Sequence, residues 1–135
     1  MIYVFDSCAL IAYIRDEEGA DKVERLLLDK DSTVMMHAVN TCEIYYDCLR
    51  AEGEAHAEQA IDALFAGGMI IREDMDADFW KSAGKLKAGG RISLADTFAV
   101  ALAVREGATL VTSDHHEFDP LVARGDLPAP VQFIR

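Results

Sequence analysis

Long apolar segments, prolines and paired cysteines are all scarce in this sequence. No run of about 18 apolar residues occurs, so we expect no membrane-spanning helix. The three cysteines (Cys8, Cys42 and Cys48) form no Cys-x-x-Cys pair and no zinc-ligand spacing, and an odd number of thiols favours a reducing, cytoplasmic location. Since 51% of the residues are apolar, burial alone can support a fold, and we expect a single domain over residues 1–135.

Positive charge is scarce as well. The formal net charge is −11, whereas nucleic-acid-binding proteins usually carry a basic face. One window departs from this balance, because Lys81, Lys85, Lys87 and Arg91 lie in a segment without any acid. This window predicts either a solvated helix face or a strip that attracts a nucleic-acid backbone. The acidic remainder of the chain suits a basic protein partner.

Short apolar strands alternate with helical patterns along the chain. We expect strands over 2–5, 33–36, 69–71, 109–112 and 130–134, and helices over 8–15, 20–30, 40–50, 54–66, 76–89 and 94–106. The segment 113–119 is typical of a polar loop. Because the strands are apolar throughout, they indicate a mostly parallel sheet that is buried on both faces, and therefore a three-layer α/β/α fold.

Four carboxylates stand where a strand gives way to a loop or a helix: Asp6, Glu43, Asp96 and Asp114. Each has a simple structural interpretation in helix capping or turn formation, with Asn40 preceding Glu43 by a capping-box interval. In a parallel sheet, however, the carboxyl ends of the strands share one edge. A helix dipole stabilises a carboxylate by only about 0.3–1 kcal/mol, which is too little to hold several anions together. We therefore predict bound Mg²⁺ or Mn²⁺, with Asp6 and Asp96 as the principal ligands. Asp114 and Glu43 are expected to complete the ligand set or to hold metal-bound water.

Further residues near these acids have candidate supporting roles. Ser7 and Thr112 are expected to hydrogen-bond ligand oxygens or metal-bound water. Glu117 is either a fifth carboxylate of the site or, more simply, a solvated loop acid. The adjacent pair His115 and His116 lies in a polar segment, so we expect both side chains to be exposed.

The segments that carry these acids resemble known motifs. They are YVFDSCAL at 3–10, NTCEI at 40–44, SLADTFAVA at 93–101 and LVTSD at 110–114 followed by Phe118. In this order and at these separations they resemble the motifs of PIN-domain nucleases, above all the small toxins of VapBC toxin–antitoxin pairs. Asp6, Glu43, Asp96 and Asp114 fall on the family's acidic positions, whereas many relatives carry aspartate at the position of Glu117.

The resemblance has several implications. It implies a sheet of four or five strands in the order 3-2-1-4-5, and a Mg²⁺- or Mn²⁺-dependent endoribonuclease in which those four acids are catalytic. It implies a toxin that blocks translation by cutting RNA, a small VapB-like antitoxin that covers the active site, and a homodimer.

Three alternatives to a PIN-domain nuclease differ in the residues or the activity that they require. A haloacid-dehalogenase phosphatase needs a second aspartate two residues after the first, where this chain has Cys8. A response-regulator receiver needs a lysine after a late strand, and the segment 112–114 has none. A catalytically inert PIN-like module that acts through a protein partner stays open, and metal titration followed by an RNA cleavage assay distinguishes it from a nuclease.

Overall fold

The computed structural model describes all 135 residues and contains five strands and seven helices. The strands are β1 (Ile2–Phe5), β2 (Thr33–His37), β3 (Ile70–Arg72), β4 (Thr109–Thr112) and β5 (Val131–Phe133). The helices are α1 (Ser7–Ile14), α2 (Ala20–Leu28), α3 (Ala38–Glu52), α4 (Glu54–Ala66), α5 (Ala77–Gly89), α6 (Leu94–Glu106) and α7 (His115–Arg124). All neighbouring strands are parallel, in the order β3-β2-β1-β4-β5. The predicted fold class and strand order are confirmed.

Helices cover both faces of the sheet. Successive side chains of a strand point to opposite faces, so Val4 and Phe5 of β1 enter different hydrophobic clusters. Val4 lies in register with Met35 of β2 and Leu110 of β4, and all three pack with buried residues of α5, α6 and α7. Phe5 packs with buried residues of α1 to α4 on the other face. None of the seven helices combines the length and the apolar character that a membrane crossing requires.

Helix α6 is the most deeply buried helix and carries Asp96 in its first turn. Every residue from 96 to 103 is buried, so the helix is fixed by packing on almost all sides. The hydroxyl oxygen of Ser93 accepts a hydrogen bond from the Asp96 N–H at 3.2 Å, which confirms the predicted cap. The position of the Asp96 carboxylate is therefore set by the core.

Helix α3 begins two residues earlier than predicted, because His37 is its N-cap. The Nδ1 atom of His37 accepts a hydrogen bond from the Val39 N–H at 3.1 Å, and its Nε2 atom lies 2.9 Å from the Asp74 carbonyl oxygen. The ring also stacks on two phenylalanines, so the cap is held rigidly. Asn40 therefore lies inside the first turn, and the interpretation of Asn40 and Glu43 as a capping box was wrong.

The predicted polar loop over 113–119 was also wrong, because most of this segment belongs to α7. The carboxylate of Asp114 caps the helix by accepting a hydrogen bond from the Glu117 N–H at 2.9 Å. Phe118 and Leu121, three residues apart, are buried against the sheet layer. A polar first turn and Pro120 inside the helix conceal this short apolar repeat in the sequence.

Candidate active site

The carboxyl ends of β1 and β4 bring Asp6 next to Thr112. Phe5 lies in register with Val111, and the Asp6 N–H donates to the Val111 carbonyl oxygen at 3.1 Å. The Asp6 side chain is fully buried, and both of its oxygens are engaged. Its Oδ1 atom accepts a hydrogen bond from the Ala9 N–H at 2.9 Å, and its Oδ2 atom accepts one from the Thr112 hydroxyl. Neighbouring strand ends therefore fix the orientation of this carboxylate.

Asp96, Asp114 and Glu117 lie close together in a group that we call the acidic cluster. One carboxylate oxygen from each lies within 4.8 Å of the other two. Asp96 is only 6% exposed, and the other two side chains are partly buried. Glu117 is not a solvated loop acid: it lies in the first turn of α7, and its Oε1 atom accepts a hydrogen bond from the Ser93 N–H. Oxygen donors in this number suit a hard divalent cation.

Glu43, on α3, lies near Asp6 but outside the group formed by Asp96, Asp114 and Glu117, and two side chains hold it. The hydroxyl of Ser7 donates to Glu43 Oε1 at 2.8 Å, and Asn40 Nδ2 lies 3.5 Å from the same oxygen. Asn40 Nδ2 also donates to the Ala95 carbonyl oxygen at 3.2 Å, so Asn40 joins α3 to the turn that carries Asp96. Asn40 is fully buried and its Oδ1 atom has no hydrogen-bond partner. Sequence reasoning missed this role, because only the three-residue spacing to Glu43 hinted at it.

Burial raises the pKa values of two of the acids. Desolvation, as the main cause, raises the pKa of Asp6 from 3.8 to about 7, against the hydrogen bond from Thr112; repulsion by Asp114 and Glu43 adds to the increase. Desolvation likewise raises the pKa of Asp96 to about 8, and repulsion by Asp6 contributes. A cation bound beside them would favour the ionised form of both carboxyl groups.

Histidines lie outside the acidic cluster. His37 is buried in its capping contacts, and His115 stacks on Phe133 with its ring nitrogens facing Asp119 and the carbonyl oxygen of Arg135. The side chains of both His115 and His116 are exposed, as predicted. The chemistry of the site therefore depends on carboxylates.

The structure divides the basic window among different surroundings. Lys81 and Lys85 line a cavity of about 540 Å³ between α5 and the loop after α7. The amine of Lys87 donates to a backbone carbonyl of the following loop at 2.6 Å. Arg91 lines a different cavity, which also borders Glu117. Of these four residues, only Arg91 shares a cavity with an acid of the cluster.

Several solved structures share this fold across nearly the whole chain. The toxin–antitoxin complex VapBC from Salmonella typhimurium, bound to DNA, has 13% identity and a TM-score of 0.75, with 100% of this chain and 99% of that chain covered. VapBC-1 from nontypeable Haemophilus influenzae has 18% identity and a TM-score of 0.73, with coverage of 99% and 98%. VapC20 from Mycobacterium tuberculosis, a sarcin–ricin loop cleaving toxin, has 18% identity and a TM-score of 0.69, with coverage of 96% and 99%.

The sequence itself identifies the family. No curated protein matches the chain. The model of the PIN domain, however, matches residues 3–120, a region that includes every acid of the cluster. The chain therefore belongs to the PIN-domain family.

Proposed function

We propose that this protein is a divalent-metal-dependent endoribonuclease and the toxin of a toxin–antitoxin pair. The observation that carries the proposal is the convergence of Asp96, Asp114 and Glu117, whose oxygens lie within 4.8 Å of one another beside the buried Asp6. Membership of the PIN-domain family supports nuclease chemistry. A structural relative that cleaves the sarcin–ricin loop supports RNA as the substrate class.

The donor set fits Mg²⁺ or Mn²⁺. It consists only of carboxylate oxygens, and burial, as the main cause, raises the pKa values of two of its carboxyl groups. We propose Asp6, Glu43, Asp96 and Asp114 as the catalytic, metal-holding residues, and we add Glu117 on the basis of its position. When bound, the cation neutralises the phosphodiester and stabilises charge on the leaving oxygen.

The protein's own side chains orient these carboxylates before substrate arrives. The hydroxyl of Thr112 donates a hydrogen bond to the Asp6 carboxylate and accepts one from the Asp114 backbone N–H at 3.0 Å. One hydroxyl therefore helps to position two acids. Ser7 holds one oxygen of Glu43, whose Oε2 atom has no hydrogen bond. That oxygen is available to accept a proton from an attacking water molecule.

The structural relatives also support a protein partner for this chain. Several of them are toxin–antitoxin complexes, which supports a small VapB-like antitoxin that covers this active site. We propose further that the toxin acts as a homodimer in the cytoplasm and blocks translation by cutting RNA. The basic window, from Lys81 to Arg91, is proposed to contact that RNA.

An RNA cleavage assay tests the function. We expect cleavage with Mg²⁺ or Mn²⁺, no cleavage in EDTA, and none by an Asp96→Asn variant. Asp62→Asn, at an exposed aspartate of α4, is the matched control and is expected to cleave normally. Full activity of Asp96→Asn, or of wild type in excess chelator, contradicts the proposal. Metal binding without cleavage of any RNA favours the inert binding module instead.

A further inference from the structure

A protein with a net charge of −11 needs local positive charge to bring RNA to a cluster of acids. Most of its arginines are already engaged. Arg15, Arg25, Arg72, Arg105, Arg124 and Arg135 pair with carboxylates, and Arg50 stacks over Tyr46. Arg91 alone has no carboxylate within 4.0 Å and no aromatic partner. Its charge is therefore free to act on a ligand.

Arg91 lines a cavity of about 530 Å³, which we call the basic cleft. The residues that line it are Arg91, His116, Glu117, Pro120, Leu121 and Arg124. Two arginines and one histidine thus line the cleft together with one acid and a single large apolar residue. A cavity of this composition favours an anion over an apolar ligand.

Glu117 makes the basic cleft continuous with the acidic cluster. One of its carboxylate oxygens lies within 4.8 Å of oxygens of Asp96 and Asp114, and its side chain also lines the cleft. Its hydrogen bond from the Ser93 N–H joins α7 to the loop that carries Arg91. A chain of phosphates with one phosphate at the acids can therefore continue past Glu117 into the cleft.

Arg124 adds a second guanidinium to this surface. A Cβ atom built on Gly90 would lie 3.8 Å from Arg124 Nη2, so the side chain reaches the residue that precedes Arg91. Its ion pair with Asp126, at 2.9 Å, is 54% exposed on both sides. Exposed ion pairs of this kind are weak and exchange readily for a better anion.

We propose that the basic cleft binds a backbone phosphate of the RNA next to the phosphodiester that is cut. This inference rests on the proposed nuclease function and assigns it a substrate subsite. Arg91 and Arg124 donate N–H groups to the phosphate oxygens, a geometry that the guanidinium fork suits better than an ammonium group does. Because only the backbone is contacted, the subsite positions RNA of any sequence.

Three variants test the subsite: Arg91→Gln, Arg124→Gln and the double variant. Arg25→Gln is the matched control, because it removes the same charge from an exposed residue of α2, in the opposite helix layer. We expect the double variant to raise KM about tenfold with little change in kcat. The slope of log(kcat/KM) against log[salt] should become shallower by about 0.7 for each lost phosphate contact, while the control changes neither quantity.

A binding measurement separates this inference from the proposed function. Fluorescence anisotropy of labelled single-stranded RNA, with Asp96→Asn protein as the parent, reports binding without cleavage. The added Arg91→Gln and Arg124→Gln changes should weaken RNA binding and flatten its salt dependence, with the unfolding midpoint preserved. Made in the wild-type background, the same two changes should leave Mn²⁺ affinity unchanged. Unchanged RNA affinity and salt slope overturn the subsite, even if wild type cleaves RNA, and leave the cleft as a surface for an acidic protein. Failure of the proposed nuclease function has a different signature: the wild-type protein would bind RNA and Mn²⁺ but would not cleave the RNA.

Discussion

Removing the charge of Asp96 should stabilise the metal-free protein while it abolishes cleavage. The side chain is only 6% exposed and has acidic neighbours, and burial raises its pKa from 3.8 to about 8. Asn is nearly isosteric with Asp and carries no charge, so Asp96→Asn keeps the packing and removes the desolvation and repulsion. The core around α6, which is buried from 96 to 103, holds the helix in place in either protein.

The size and the sign of this effect follow from proton linkage. The folded protein keeps the Asp96 proton up to about pH 8, whereas the unfolded chain loses it near about pH 4, so stability falls as pH rises through this window. The raised pKa of Asp96 lowers the free energy of unfolding by on the order of 5 kcal/mol at about pH 8 and by roughly 2 kcal/mol at about pH 5. The Asp96→Asn variant does not lose this free energy, so the difference in the free energy of unfolding between the variant and wild type should grow with pH.

Urea unfolding of the EDTA-treated proteins at these two pH values measures the difference in stability between Asp96→Asn and wild type. We expect Asp96→Asn to unfold at higher urea than wild type, with the larger gap at the higher pH, and Asp62→Asn to match wild type. Adding Mn²⁺ should stabilise wild type and leave the variant nearly unchanged. A variant that is less stable than wild type at both pH values, or a gap that does not depend on pH, refutes the electrostatic reasoning.

Other contacts give further predictions. Thr112→Val removes the hydroxyl that donates to Asp6, and we expect at least about a tenfold loss of cleavage, measured as kcat, with the fold retained in circular dichroism. Asn40→Ala breaks the link between α3 and α6 and should cost roughly 1–2 kcal/mol in urea unfolding, so unchanged stability contradicts that role. Gly19→Ala should destabilise by more than about 2 kcal/mol, because φ is +95° and the new Cβ would meet a backbone oxygen at 2.7 Å. Gly125→Ala, also at positive φ but in open space, should cost only about 1 kcal/mol, and equal losses would count against the clash.

Much of the candidate site could be predicted because two of its acids lie within two residues of the ends of buried strands. Asp6 comes after β1 and Asp114 after β4, and these strands are parallel neighbours. Sheet geometry alone therefore brings the two acids to one edge. Asp96 was equally accessible to prediction, because its local capping contact with Ser93 fixes the first turn of a helix whose apolar character is plain in the sequence.

The remaining features depend on contacts that a local pattern does not reveal. Asn40 acts through the carbonyl oxygen of Ala95, 55 residues away, and His37 acts through that of Asp74, 37 residues away. Glu117 joins the cluster only because α7 forms, and that helix is stabilised by burial of two apolar residues despite its internal proline. Tertiary packing outweighs local propensity in each of these cases.

The central claim is that this cluster of carboxylates is a cation site, and calorimetric titration of Mn²⁺ into the metal-free protein tests it most directly. At neutral pH we predict saturable binding with proton release, because uptake of the cation must ionise carboxyl groups whose pKa values burial has raised. Binding should be lost in Asp96→Asn and retained in Asp62→Asn. No detectable Mn²⁺ uptake by the wild-type protein, or equal uptake by Asp96→Asn, would contradict the account.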